Sequence, residues 1–257
     1  MKIELLAHTR LSESFKEKLY KDGSISFDQY GELDEVTDGQ VVTLSAIRTC
    51  YSANKPSEIA IKEGHRYFKK EATDGKGGTD ADRLIRHIVA SKHTSTLEAV
   101  TFTFAIEGVS RALLAQLTRH RVGFSFSVQS QRYVRFGSDD KSGGFDYVVP
   151  DNVKKCESES VFTTYDLYND FMDKAQEYYD ELRAAGVPAE DARMVLPQAA
   201  TTNLVMTVNL RSLLDFYAKR RAGNGAQAEI AELAEKLRKE VVKVEPWVDE
   251  FFEGGRN

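Results

Sequence analysis

VTFTFAIEGVSRALLAQLTRHR, residues 100 to 121, holds two hydrophobic periods, and together they decide the fold class. From Val100 the apolar side chains fall on every second residue, through Phe102, Phe104 and Ile106, with Thr101, Thr103 and Ala105 between them. That alternation is the pattern of a half-buried strand. Beyond Ser110 the spacing changes: Leu113, Leu114 and Leu117 make a helical stripe, and the serine stands where a helix takes its N-cap. Gln116 and Arg119 are three residues apart, so the same helix would present both on one face near its C-terminal end.

Outward from this stretch the chain reads as helices with a few strands. The first ten residues suit an edge strand, and Leu204, Met206, Val208 and Leu210 alternate through TTNLVMTVNL (201–210) as a further strand. DADRLIRHIVASKH (80–93) is amphipathic, with an Asp as its cap and His93 at its end. Val161, Tyr165, Tyr168, Phe171, Ala175, Tyr178 and Leu182 mark a long helix closed by Ala-Ala-Gly at 184 to 186. Pro188 opens PAEDARMVL, which Pro197 ends. Two helices at about 211–222 and 226–243 flank a GNG. Residues 11–40 are polar, with GELDEVTDGQ (31–40) expected as an exposed loop, and KKEATDGKGGTD (69–80) as a second loop. Its GKGG matches neither GxGxxG nor GxxxxGK[ST], so it does not read as a phosphate cradle. With no internal repeat and no linker, the expectation is one α+β domain over 1–257, mostly helical, with insert-like loops at about 11–40 and 69–79.

Composition narrows the function. There are 35 Lys+Arg against 40 Asp+Glu, a formal charge of -5, which disfavours bulk nucleic-acid binding because that ordinarily requires a basic surface. No run approaches the roughly 18 apolar residues of a membrane helix, and MKIELLAHTR has too short an apolar run for a signal peptide. A cytoplasmic protein with no membrane partner is expected. Cys50 and Cys156 are too few for a disulfide framework, and no CxxC or HExxH offers a metal site.

Against this acidic background, no Asp or Glu occurs between Glu107 and Asp139, while Arg111, Arg119, Arg121, Arg132 and Arg135 all fall there. Guanidinium forks match phosphate and carboxylate, and several held together repel unless an anion relieves them. Ser125, Ser127, Ser130 and Gln131 add neutral donors, and Phe124, Phe126 and Tyr133 offer flat faces for a ring. A nucleotide, a flavin, or both would satisfy that set. Two other readings stand beside it: arginines paired with acids elsewhere in the fold, and an RNA-binding patch of the Arg-plus-aromatic kind.

The ordered motifs HTSTLE (93–98), VTFTF (100–104), QLTRHR (116–121), SVQSQRYV (127–134), ARMVLP (192–197), TVNLRSL (207–213) and R-x4-AQ-x-EI (Arg221 to Ile230) resemble the flavin-dependent thymidylate synthases. The resemblance runs from RTCYS (48–52) to Ile230. It implies an α+β fold, mostly helical around a central antiparallel sheet, and reductive methylation of dUMP to dTMP. Methylenetetrahydrofolate would give the carbon, and FAD would relay a hydride from NADPH. It also implies a homotetramer with active sites where subunits meet. Carried over by motif, Gln116, Arg119, Val128, Ser130, Gln131, Arg132, Arg193 and Arg221 would contact dUMP. Arg221 would be the catalytic residue that stabilises negative charge on the uracil. His93, Ser95, Glu98, Arg119, His120, Arg121, Asn209, Arg211 and Asp215 would contact FAD, and no metal is implied.

The chain departs from the family pattern in four places. Eight residues separate Arg121 from Ser130 where the pattern has seven, an extra residue near Val122-Gly123. Ala99 and Gly225 stand where histidines occur, and Asp215 replaces a common Asn or His. The alternatives are a flavin- or nucleotide-binding protein without synthase activity, and a nucleic-acid-binding module.

Overall fold

The computed structural model describes residues 1–23, 36–156 and 162–253. The alternation at 100–106 does form a strand, and four antiparallel strands make one sheet in the order β1-β2-β4-β3. These are β1 (Lys2–His8), β2 (Thr101–Ser110), β3 (Phe124–Val128) and β4 (Thr201–Asn209). The register sets Phe102 against Val208, Phe104 against Met206 and Ile106 against Leu204. On the far side of β4, Phe124, Phe126 and Val128 oppose the same three residues. One sheet face is therefore largely apolar, with His8 opposite Phe102 at its edge, and Phe102, Phe104, Ile106, Met206 and Val208 are completely buried. The other face is polar, and Thr103 and Thr207 hydrogen-bond across it at 2.9 Å. As expected, β1 takes an edge.

Helices supply the rest of the core. In chain order they are α1 (Glu13–Asp22), α2 (Asp38–Thr49), α3 (Pro56–Phe68), α4 (Asp80–Ala90), α5 (Arg111–Leu117), α6 (Asp151–Lys155), α7 (Thr164–Ala184) and α8 (Ala189–Ala192). They end with α9 (Leu210–Arg220), α10 (Ala228–Val244) and α11 (Asp249–Glu253). Leu213 and Phe216 of α9 and Leu233, Leu237 and Val241 of α10 cover the apolar sheet face, joined by Ile85 and Ile88 of α4. A second cluster packs Leu19 of α1, Val41 and Leu44 of α2 and Tyr67 and Phe68 of α3. Among the described residues no helix is long and apolar enough to cross a membrane.

Several expectations change. The polar segment 11–40 contains helix α1, with Leu19 fully buried. Residues 31–35 of GELDEVTDGQ lie outside the described residues, but its end is no exposed loop: Val36, Asp38 and Gln40 are buried. Thr37 caps α2 there, through a capping box with Gln40. The cap of α4 is Thr79, not an Asp; Asp82 completes its capping box. The loop 69–79 is a closed hairpin, with Glu71 bridged to Thr79. Arg86 holds it through Asp74 at 2.8 and 3.0 Å and the Gly77 carbonyl at 3.0 Å. Helix α7 buries Met172, Ala175 and Tyr179, so Phe171 and Tyr178 of the expected stripe sit on its exposed flank; Val161 lies outside the described residues. Pro188 is the N-cap of α8, and after one turn ARMVLP tightens to a 3-10 helix. Helices α2, α3, α6 and α11 add to the expected elements.

Candidate functional site

Apart from Asp215, in the middle of α9, the expected site residues lie near the end of an element or in a turn, and the elements bring several of them together. Six of the nine residues expected to contact FAD (His93, Ser95, Glu98, Asn209, Arg211 and Asp215) lie on α9, at its cap, or on and beside the 3-10 turn packed against it. Asn209 caps that helix, its Oδ1 accepting from the Ser212 N–H at 2.9 Å. Arg211, one residue into the helix, forms an ion pair with Glu98. Glu98 belongs to a 3-10 turn over Thr94–Ala99 that packs against α9 and carries Ser95. His93 does not end α4, which stops at Ala90; it precedes the 3-10 turn, with Nδ1 3.0 Å from the Tyr51 hydroxyl. Asp215 lies one turn further along α9 and binds Lys219 at 2.7 Å.

A cleft of about 670 Å³ opens there. Val89, Leu97, Leu214 and Phe251 supply apolar wall, while Lys92, Arg211 and Asp215 supply charge. Flat apolar surface beside cations and hydroxyls suits a flavin dinucleotide, whose ring is aromatic and whose bridge is anionic. Lys92 is held at φ +63, the left-handed region, and is the one non-glycine residue with positive φ among those described.

RHR follows α5. That helix ends at Leu117 with Thr118 as C-cap, so Arg119 lies past its end and does not share a helix face with Gln116. Arg119 and Arg121 are exposed. His120 is half-buried against Phe216, ring centroids 4.9 Å apart, and receives a hydrogen bond from Arg220 Nε at 3.1 Å. Burial, then the nearby Arg220 charge, pushes its pKa below the ordinary histidine value. The extra residue of the following loop fits the turn from Arg121 to Phe124, where Gly123 takes φ +73. A Cβ at Gly123 would collide with Ser212 Oγ and Asn209 Nδ2, so only glycine brings this turn onto α9. The residues after it are strand β3. Phe124 and Phe126 stack on each other at 5.8 Å and pack on the core, so they are not free platforms, and Val128 likewise turns its side chain to the core. Ser125 and Ser127 lie on the exposed face.

The nucleotide group divides between two clefts. Gln131 and Arg193 line one of about 520 Å³, walled by Leu114, Leu196 and Pro197. Ser130 begins the adjoining turn, its Oγ accepting from the Arg132 N–H at 3.2 Å. Arg132 is paired with Glu190 at 2.9 Å, both about half exposed. Arg221, C-cap of α9, lines a separate cleft of about 370 Å³ with Tyr217, Glu235 and Arg238. Gln116 sits between α5 and α10, donating to Gln227 Oε1 at 2.5 Å.

Arg111 was counted in the acid-free window but assigned no site, and the structure sets it in the cleft with Arg193. Its backbone N–H donates to the Ala200 carbonyl at 3.0 Å, and the next N–H donates to Gln198 at 3.0 Å. These bonds fasten the start of α5 to the segment that follows Arg193. Burial, and then the Arg193 charge, lowers the Arg111 pKa. Of the five arginines in the window, only Arg132 makes an ion pair among the described residues. Arginines satisfied by acids of the same chain are thus the exception. The only sign in sequence was Arg111 standing in the first turn of a helix, the wrong end for a cation beside the helix dipole. No cluster of His, Cys, Asp and Glu suited to a metal occurs among the described residues.

Comparison with known proteins gives the same motifs a family. Residues 32–247 match the family described as thymidylate synthase complementing protein. A flavin-dependent thymidylate synthase of Geobacter sulfurreducens is 36% identical over 216 residues, 84% of this chain and 83% of that protein. One from Haloarcula marismortui is 36% identical over 236 residues, 86% of this chain and 93% of that protein. The UMP/dUMP methylase PolB of Streptomyces cacaoi, solved with 5-Br dUMP, superposes with a TM-score of 0.65 at 20% identity, over 98% of this chain and 94% of that one. That likeness is one of fold. The family match spans most of the chain, and the chain belongs to the flavin-dependent thymidylate synthase family.

Proposed function

We propose that this protein methylates dUMP reductively to dTMP, taking the carbon from methylenetetrahydrofolate and the reducing equivalents from NADPH. The observation that carries the reading is the cleft that Arg111 and Arg193 both line, close enough for one charge to act on the other, with no carboxylate paired to either among the described residues. A phosphate dianion relieves that repulsion and accepts from both forks, and Gln131 and Ser130 add neutral donors. Arg132 gives up or shares Glu190 to join them. Asn209, Arg211, Glu98 and Ser95 around the start of α9 would hold FAD, which when bound would supply the hydride for the transferred carbon.

The residues of the chain prepare the pyrimidine for that transfer. A carbon–carbon bond forms at C5 of the uracil, the C5 proton leaves, a hydride completes the methyl group, and tetrahydrofolate departs. Neither Cys50 nor Cys156 is set in a cationic pocket that would make it a nucleophile, so electron density at C5 has to be raised electrostatically. Arg221, with no ion pair among the described residues, serves by stabilising negative charge at N3 and the ring carbonyls. His120, kept neutral by burial and Arg220, orients the RHR turn without adding charge. Arg221 and Arg193 line different clefts within one chain, and the proposed assembly, a homotetramer with active sites at subunit junctions, would let one dUMP meet both.

The test is optical. Purified protein should be yellow or become so with added FAD, and should bleach on anaerobic addition of NADPH. A protein that binds no flavin refutes the proposal, and light scattering showing a monomer refutes the shared site.

A further inference from the structure

Helix α10 begins by gripping both ends of α5. At one end Glu229 accepts two hydrogen bonds from Ser110, the N-cap of α5: one from the backbone N–H at 2.8 Å and one from Oγ at 2.6 Å. Ser110 is buried, and its Oγ in turn accepts from the Leu113 N–H at 3.0 Å. Near the other end Gln227, the N-cap of α10, accepts from Gln116 Nε2 at 2.5 Å. Both gripping residues belong to the R-x4-AQ-x-EI motif that starts at Arg221. Between them and Arg221 the loop turns through two left-handed glycines, Gly223 and Gly225. Such a loop has no rigidity of its own and must be fixed at its ends. Its first end is the C-cap of α9, tied by the Asn224 amide to the Ala218 carbonyl at 2.9 Å; its second end is Gln227.

We propose that Gln227 and Glu229 are positioning residues, which set where α5 carries Arg111 and Gln116 relative to the loop that carries Arg221. The proposal rests on the function given above. Glu229 fixes the N-terminal end, and with it Arg111 at the phosphate cleft. Gln227 fixes the orientation of the Gln116 amide, whose other bond, to the Ala112 carbonyl at 3.5 Å, is long. Neither residue lines the clefts that hold Arg111, Arg193 or Arg221, so their influence runs through α5.

Steady-state kinetics with dUMP, product analysis for dTMP and thermal melts of the flavin-loaded enzyme test this. Gln227→Ala should raise the KM for dUMP about 3- to 10-fold, the size of one lost neutral hydrogen bond. Its kcat should stay within about twofold and its melting temperature should be unchanged. Gln227→Glu keeps an acceptor for the Gln116 amide and should restore the KM. Glu229→Ala should raise the KM further and also increase amide hydrogen exchange at Leu113 and Leu114, a readout independent of turnover. Unchanged KM in Gln227→Ala, failure of Gln227→Glu to restore it, or unchanged exchange in Glu229→Ala overturns the brace. Absence of dUMP turnover in the wild type overturns the proposed function instead, and the two failures are told apart by that control.

Discussion

Replacing Arg193 by Met should weaken nucleotide binding while leaving the empty protein slightly more stable, an opposition of signs that few roles for an arginine produce. In the structure Arg193 and Arg111 share one cleft, both half-buried, and no carboxylate pairs with either among the described residues. Their mutual repulsion is screened by solvent, which limits it to a few tenths up to about 1 kcal/mol. For a chain of this size that corresponds to a rise in melting temperature of about 1–3 °C when one guanidinium is removed. Arg193 also donates to the Glu190 carbonyl at 2.9 Å, a surface bond whose loss offsets part of the gain. With dUMP bound the balance reverses. A charge-assisted fork on phosphate contributes about 1.5–3 kcal/mol, so the Kd should rise roughly 10- to 150-fold. Deoxyuridine, which lacks the phosphate, should bind both proteins alike. Calorimetric titration with dUMP and deoxyuridine, beside melts of the unliganded proteins, measures every arm. A variant that melts several degrees lower and binds dUMP as the wild type does would show a structural arginine and refute the reasoning.

Other consequences follow from buried polar groups. Glu245 is 1% exposed and accepts from the Gly39 N–H at 3.1 Å, and from Thr37 Oγ1 and the Trp247 indole. Glu245→Ala should leave the Gly39 N–H unmatched, with the Trp247 indole keeping only Thr37 Oγ1 and the Thr37 hydroxyl only Gln40 Oε1, and cost about 3 kcal/mol, read as a fall of roughly 6–12 °C in melting temperature. Gly39→Ala, ordinarily favourable in a helix by up to about 1 kcal/mol, should be strongly destabilising here, because its Cβ would fall on the Glu245 carboxylate. Lys92→Gly should raise the denaturant midpoint by an amount equivalent to about 1 kcal/mol, relieving the left-handed backbone at φ +63. His8 and His120 both have depressed pKa values, each through burial first and then a neighbouring arginine. The unfolded chain therefore binds these protons more readily. Their contribution is complete above about pH 6.5 and is lost as pH falls through the folded values. His120→Gln should flatten the pH dependence of the melting temperature below 6.5, and a slope equal to that of wild type would contradict this.

What the sequence disclosed and what it hid divide along physical lines. The strand at 101–110 and the helix after it were legible because both elements bury one face only, so polarity alternates with the right period. Helix α2 exposes little contrast; even Gly39 and Gln40 are buried, so no periodicity announces it, whereas α3 buries Ile59, Ala60, Gly64, Tyr67 and Phe68 at helical spacing and carried a signal that was missed. Strand β3 was hidden by chemistry: FSFSV alternates as well as any strand, but its place among arginines and hydroxyls favoured a binding loop. Most of the expected site residues lie in loops or near element ends, where no periodicity marks a side chain. Their partition was not legible, since the separation of Arg193 from Arg221 depends on β4 and α9 running between them. Nor did spacing reveal that Arg111 would meet Arg193, because that pairing is made by backbone bonds to Gln198 and Ala200.

The most direct test of the central claim is product formation. The purified protein, supplied with FAD, NADPH, methylenetetrahydrofolate and dUMP under anaerobic conditions, should yield dTMP detectable by mass spectrometry, and Arg221→Ala should yield almost none while its flavin is still reduced by NADPH. Flavin-loaded wild-type protein that oxidises NADPH yet forms no dTMP would contradict the account.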